Sequence, residues 1–370
     1  MTELDTTVTV IDAAARAQVP VILWGAPGLG KTSVVRALAA ADAVPMETLI
    51  GSQREPVDIA GWPMVEDGVV RLAIPDWAKA LVEANGGYLL LDELTTCSPS
   101  VRAAMLTVIQ ERMVGRVKLP DAVRIVACSN PPDQSAGGTD LDAPTANRFL
   151  HVTFEPSADE WLTGLRTGFS TLPASRAVAA DELRAAEELG ALSAFIEARP
   201  ELRNRVPDTD EAAGLPWPSH RSWHALARVL VYLRRDDTAA IAASAFGLVG
   251  EGAGSEYVEW RANMDLPAVA DVINDPSIFD WDAARPDQVW AVLSGVVAWA
   301  SGKGTKEAWE TAWGPLVAAA THGAPDVAGA AVRDMSVAMP AGAKPPASAR
   351  KFKDLMIAAG LDTGSTGSAA

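Results

Sequence analysis

The sequence is poor in the residues that build metal–thiolate centres and disulfide scaffolds. It holds two cysteines, Cys97 and Cys128, and four histidines, His151, His220, His224 and His322. None falls in a zinc-type spacing, so neither a zinc site nor a cysteine-stapled fold is expected. Cys128 lies in an apolar run and reads as a small buried residue. Long hydrophobic runs are missing as well. No stretch approaches the roughly 18 uninterrupted apolar residues of a membrane span, and the first residues show no basic segment leading into an apolar one. No membrane span is expected, and the expected location is cytoplasmic. Basic tracts are also absent. The net charge is −16, with 12 Lys/Arg against 19 Asp/Glu in residues 1–155 and 19 against 28 in the remainder. Nothing provides an electrostatic footprint for DNA or RNA, which makes nucleic acid an unlikely partner by charge alone.

What is present is more specific. Residues 25–32 read Gly-Ala-Pro-Gly-Leu-Gly-Lys-Thr, the G-x-x-x-x-G-K-[ST] pattern of a phosphate-binding loop. Average residue frequencies would produce it by accident in a chain of this length on the order of one time in a hundred. Gly25, Ala26, Pro27, Gly28, Leu29 and Gly30 would turn backbone N–H groups toward phosphate oxygens at the mouth of a helix. Lys31 would reach the β- and γ-phosphates, the Thr32 hydroxyl would hold Mg²⁺, and Ser33 follows in the first turn. The apolar run Val21-Ile22-Leu23-Trp24 before the loop and the helical pattern after it supply the required strand–loop–helix setting. ATP and Mg²⁺ are therefore the expected cofactors.

Short apolar segments alternate with helical patterns through residue 155. Strands are expected at Pro20–Trp24, Met46–Ile50, Tyr88–Leu91, Arg124–Ser129 and Phe149–Phe154. Their near-continuous apolar character suits a parallel sheet buried on both faces, and the alternation predicts a doubly wound α/β core over residues 1–155. A helix is expected over Ser98–Met113, with Ser98 as cap and Pro99 at the first helical position. Beyond Pro156 the strand signals fade into helical patterns, including Ala179–Ala198 and His224–Arg235. Nine of the twelve tryptophans lie after residue 155. Five of them, Trp281, Trp290, Trp299, Trp309 and Trp313, read as helix-packing anchors, because acids outnumber the cations among them. Met339–Ser348 reads as a linker by composition, Arg350–Ala359 as a short helix and Thr363–Ala370 as a disordered tail.

Hydrolysis requires more than a phosphate loop. Tyr88-Leu89-Leu90-Leu91-Asp92-Glu93 is an apolar strand ending in two carboxylates. Asp92 would bind Mg²⁺ through its water shell, and Glu93 would polarise the attacking water. Asn130 emerges from another apolar strand, and in a parallel sheet beside the loop strand its tip would face the γ-phosphate.

Together these residues resemble an AAA+ ATPase, and more narrowly the MoxR branch, over roughly residues 18–235. The resemblance also rests on Asp58-Ile59-Ala60-Gly61, Gln110-Glu111-Arg112, Cys128-Ser129-Asn130-Pro131, Leu141-Asp142-Ala143-Pro144 and Asn147-Arg148-Phe149. It implies an α/β core with a five-stranded parallel sheet, a helical lid over 156–237 and a helical extension over 238–335. Residues 336–370 then form the linker, short helix and tail. It further implies that Asn130 is the sensor orienting the attacking water, and that Arg148 is an arginine finger completing a neighbouring subunit's site. Within Trp217-Pro218-Ser219-His220-Arg221, Arg221 resembles a second sensor on the γ-phosphate. The pattern departs from the family at Thr95-Thr96, where Asn-Arg is usual, and at Asn147, where Asp is more frequent. Two segments, Gln53–Leu72 and Met113–Asp121, are similar to the family's insert near the ring opening and its hairpin before the first sensor. Read without the resemblance, they are plain connecting loops.

The implied activity is ATP hydrolysis in a ring, expected to be a hexamer, that remodels, activates or matures a partner protein or complex. The implied adaptor carries a von Willebrand factor A domain. Two alternatives of other classes stand beside it: a nucleic-acid-linked AAA+ motor of McrB-like type, and an ATP-controlled assembly switch in a defence or injection system.

Overall fold

A computed structural model describes residues 2–131, 134, 139–167 and 172–353. The chain divides into two compact units that interleave along the sequence. The first comprises Met1–Val178 and Asn204–Glu256, and the second Ala179–Arg203 and Tyr257–Ala370. Segments 156–237 and 238–335 are thus each shared between the two units.

The first unit is built on nine strands: β1 Val21–Trp24, β2 Met46–Ile50, β3 Trp62–Glu66, β4 Val69–Ala73, β5 Gly87–Asp92, β6 Met113–Val114, β7 Val117–Lys118, β8 Val123–Ser129 and β9 Leu150–Thr153. The five strands expected from apolar continuity all form, within one residue at each end. They make one parallel sheet in the order β2-β5-β8-β1-β9. Strand β5 shows why the pattern works: Tyr88 to Leu91 are buried on both faces, and only Asp92 at the tip emerges. In-register pairing sets Trp24 beside Ser129 and Asp92 beside Cys128. The carboxyl ends of β1, β5 and β8 therefore lie abreast, and the chain leaves β1 in one direction and β8 in the other, which opens a crevice between them.

Two hairpins interrupt this plan. Strands β3 and β4 pair antiparallel through Asp67 and Gly68, both with positive φ, the geometry a two-residue hairpin turn demands. Every residue of both strands is exposed, including Trp62, Met64, Val65, Val70 and Leu72. Strands β6 and β7 form the second hairpin. The helix expected over Ser98–Met113 runs from Pro99 to Glu111, with the Ser98 hydroxyl accepting from Val101 N. It stops early because Arg112 turns left-handed at φ 53°. Its guanidinium compensates by donating to the carbonyls of Pro120 (2.9 Å) and Val123 (2.6 Å), which closes the β6–β7 hairpin behind it. The helix expected from His224 begins at His220, because Ser219 caps it, and it ends at Leu230.

The second unit contains no strand among its described residues. Its core is aromatic: Trp309 and Trp313 are fully buried and meet edge to face at 5.4 Å. Trp281 is buried with them, while Trp290 and Trp299 are half-buried. The helix Glu182–Ala198 lies so close to Pro286–Lys303 that a Cβ on Gly190 would stand 2.5 Å from Gly295 N. The segment that reads as a linker is tied down at Ala343, Ala349 and Phe352, all buried in this core. A 3-10 turn, Ala347–Phe352, stands where the short helix is expected to begin. The rest of that helix and the tail Thr363–Ala370 lie outside the described residues.

Candidate active site

The loop between β1 and the helix Lys31–Ala41 owes its shape to its glycines. Gly28 and Gly30 adopt φ of 83° and 93°, and Gly30 caps the helix in a left-handed conformation. A Cβ on Gly25 would stand 2.5 Å from the Phe154 carbonyl oxygen. Pro27 and Gly28 form the exposed outer arc, Ala26 and Leu29 are half-buried, and Ser33 is exposed in the first helical turn.

Lys31 is buried, and Nζ donates to three neutral acceptors: Gly25 O at 2.6 Å, Ala26 O at 3.0 Å and Asn130 Oδ1 at 2.7 Å. It takes part in none of the ion pairs among the described residues. Desolvation pulls its pKa below the usual lysine range, only partly offset by the Cys128 and Asp92 charges. A buried ammonium without a carboxylate partner is costly, and an anion at the loop would relieve that cost. Phosphate fits this position.

The carboxyl ends of the neighbouring strands supply oxygens. Thr32 Oγ1 donates to Asp92 Oδ2 at 3.0 Å, so a hydroxyl and a carboxylate face one another, the hard donors Mg²⁺ prefers. The residues present therefore fit both halves of Mg²⁺–nucleotide. Next in sequence, Glu93 departs from the strand at φ 58°. That conformation costs about 1–3 kcal/mol for a non-glycine residue. Its N–H is held by Cys128 O at 3.1 Å and by Asp92 Oδ1 at 3.0 Å. Its exposed carboxylate accepts from the Ser52 hydroxyl. Gly51 permits this approach, because a Cβ there would fall 2.8 Å from Cys97 Cβ and 3.1 Å from Glu93 O. Buried Cys128 lies beneath the group, its thiol pushed up by desolvation, so it acts as an inert wall.

Lys31, Thr32, Asp92, Glu93 and Asn130 are thus brought together, whereas Arg148 and Arg221 form a separate group. Arg148 Nε donates to Gln110 Oε1 at 2.9 Å, and Nη1 donates to Pro144 O. Its pKa is lowered first by desolvation and then by the Arg221 charge. Arg221 is exposed near the start of the helix His220–Leu230 and makes no hydrogen bond among the described residues.

Three contacts were not legible from motifs. One is Ser52 on Glu93. Another is Arg102, buried behind the Asp-Glu pair, which donates to Thr95 O (3.4 Å), Thr139 Oγ1 (2.8 Å) and Asp140 O (3.3 Å). It pins the Thr95-Thr96 turn that departs from the family pattern. The third is His151 on β9, whose Nδ1 accepts from Trp24 Nε1 at 3.0 Å while Nε2 faces Ala146 O at 2.9 Å. Burial pulls its pKa down to about 4, so the ring is neutral at pH 7. Beside the loop strand opens a cavity of about 650 Å³, walled by Thr6, Val10, Trp24, His151, Pro131 and Phe246. No helix among the described residues is long and apolar enough to cross a membrane.

Comparison with known proteins agrees with this geometry. Residues 20–149 match the AAA domain of the dynein-related subfamily. The chain is 30% identical over 150 residues to the midasin of Giardia intestinalis, covering 38% of this chain and 3% of that protein. It is 27% identical over 167 residues to the midasin of Dictyostelium discoideum, covering 41% and 3%. It is also 32% identical over 111 residues to the transcriptional regulatory protein XylR of Pseudomonas putida, covering 29% and 20%. The chain thus spans a small fraction of the length of these relatives. Among solved structures, a candidate ATPase from Cytophaga hutchinsonii aligns with a TM-score of 0.46 and 17% identity over 71% of this chain and 89% of that one. The chain carries an AAA-type P-loop ATPase domain, matched over residues 20–149.

Proposed function

We propose that this protein is a MoxR-type ATPase that works as a ring, hexameric by family resemblance, and remodels, activates or matures a protein partner. The observation that carries the reading is the division of the site. The phosphate-facing group is gathered at the ends of β1, β5 and β8. Arg148 stands apart on Gln110 and Pro144. A chain that holds its transition-state cation outside its own phosphate site completes catalysis by giving it to a neighbour.

Each residue then has a defined task. Lys31 exchanges its carbonyl acceptors for phosphate oxygens. Thr32 and Asp92 hold Mg²⁺, which supplies charge neutralisation on the phosphates when bound. Asn130, already 2.7 Å from Lys31 Nζ, sits at the γ-phosphate end of the loop and orients water. Glu93, freed from Ser52, accepts the proton of that water. Arg148 of one copy stabilises charge in the site of the next. The 650 Å³ cavity is large enough for a nucleoside. The β3–β4 hairpin, with its exposed apolar side chains, is the segment best placed to grip a client, delivered by a von Willebrand factor A-domain adaptor.

Mixing tests this reading. Lys31→Ala chains have an arginine and no working site, and Arg148→Ala chains have a site and no arginine. Each alone is expected to be inactive, with Arg148→Ala still binding ATP, and mixtures are expected to regain turnover. Normal turnover by Arg148→Ala alone would contradict the shared site.

A further inference from the structure

Asn147 departs from the aspartate more frequent in its motif, and the structure gives it a task that aspartate could not perform. Its side chain is buried (8% exposed) between the two elements that carry Arg148 and Arg221. Nδ2 donates to Trp217 O at 3.1 Å, and Oδ1 accepts from Ser219 Oγ at 2.7 Å. The carbonyl of Trp217 can only accept, so the amide orientation is fixed by its partners. A carboxylate would have no proton to offer there and would oppose the carbonyl oxygen. Ser219 is in turn the cap of the helix His220–Leu230, receiving Ser222 N at 3.0 Å, and Arg221 is the second residue of that helix. Arg148 follows Asn147 directly, at the end of the turn that begins with the Asp142-capped helix Ala143–Ala146.

The amide therefore ties two cationic elements to each other across about 70 residues of sequence. The tie holds like charges together, since Arg221 is close enough to disfavour the charge on Arg148. Two guanidiniums held in mutual repulsion form a site for a multiply charged anion.

We propose that Asn147 is a positioning residue that locks the Arg221 helix to Arg148, so that both arginines act as one arm on the phosphates of a neighbouring copy. The proposal rests on the shared-site reading above and assigns Arg221 to the same phosphate group as Arg148. The lock acts only in the chain that donates the arm, and the chain that holds the nucleotide is untouched by it.

The test uses full-length chains and ATP. Arg148→Ala chains serve as acceptors and Lys31→Ala chains as donors, with co-assembly checked by size-exclusion chromatography. Adding Asn147→Ala or Asn147→Asp to the donor is expected to lower the stimulated kcat by about ten- to a hundredfold, the scale of a misplacement of about 1 Å. The KM for ATP, a property of the intact acceptor site, is expected to stay fixed. A donor that was merely damaged would fail to co-assemble. Ser219→Ala in the donor provides a second variant that leaves the Asn147–Arg148 segment unaltered, and Ser219→Thr, which keeps the hydroxyl, is expected to restore stimulation. Equal stimulation by Asn147→Ala and parent donors overturns the lock while leaving the shared site standing. Should the Asn147 variants not co-assemble, equal stimulation by Ser219→Ala and Ser219→Thr donors overturns it instead. Absence of stimulation by the parent donor removes the shared site, and the lock with it.

Discussion

The two units treat buried charge in opposite ways. In the second, Glu188 is 1% exposed and fully answered: Arg184 Nη2 lies 2.9 Å from Oε1, and Arg261 Nη2 donates to Oε1 at 2.8 Å. Tyr257, fully buried, lies within 3.3 Å of Arg261 and has its pKa raised by burial. In the first, the buried cation Lys31 is given only carbonyls and an amide. The difference separates structure from function. A closed ion cluster has nothing left to bind, whereas a desolvated ammonium on neutral acceptors keeps its charge available for an incoming anion.

The largest expected effect lies in the closed cluster. Glu188→Ala leaves two arginines uncompensated and should cost about 3–5 kcal/mol in denaturant unfolding. Nucleotide affinity should be unmoved, because no phosphate-facing group belongs to that unit. A parallel loss of affinity would break the contrast between the units.

A buried neutral histidine gives the next effect, of about 3 kcal/mol. His151 has a folded-state pKa of about 4 against an ordinary value of 6.5. Between these values the unfolded chain binds a proton that the folded chain refuses. Stability is therefore full above pH 6.5 and is lost as pH falls toward 4. Unfolding of wild type and His151→Gln across pH 7 to 4 should show this component in the wild type alone.

Lys31→Ala removes the open charge. Hydrogen bonds to charged groups contribute about 1.5–3 kcal/mol, so nucleotide affinity should fall about ten- to a hundredfold or beyond, with stability little changed. Calorimetric titration with ATP checks the first half of that statement and thermal unfolding the second. The smallest effect is expected at Ser52. Removing its hydroxyl frees the Glu93 carboxylate, and Ser52→Ala should raise basal turnover by about two- to tenfold, the equivalent of one hydrogen bond.

Much of the first unit was legible in the sequence because its strands are buried on both faces. Val21–Trp24 and Gly87–Asp92 are continuous apolar runs, and the polar residue that ends each run is the one that reaches the site. Phosphate-loop geometry was equally plain, since only glycine tolerates the conformations at positions 28 and 30. Contacts set by tertiary approach were not legible. Ser52 meets Glu93 only because Gly51 lets β2 close in, and Asn147 meets Trp217 and Ser219 from far along the chain. In the second unit, helical periodicity marks which face is apolar but not which partner covers it. The interleaving of segments 179–203 and 257–353 left no trace in the pattern. Met339–Ser348 reads as a linker because Pro, Gly and Ala dominate it, yet Ala343 within it, and Ala349 and Phe352 just beyond, are buried. Composition reports backbone preference and is silent about such anchors.

The most direct test of the account is turnover and nucleotide binding by Glu93→Gln, measured on one preparation. If the left-handed carboxylate at the end of β5 takes the proton from the attacking water, kcat should fall by about 10²–10⁴-fold. ATP affinity should stay within about threefold of wild type, because Gln keeps the shape and leaves Lys31, Thr32 and Asp92 in place. Wild-type turnover in that variant would contradict the account and move the chemistry away from the edge of the sheet.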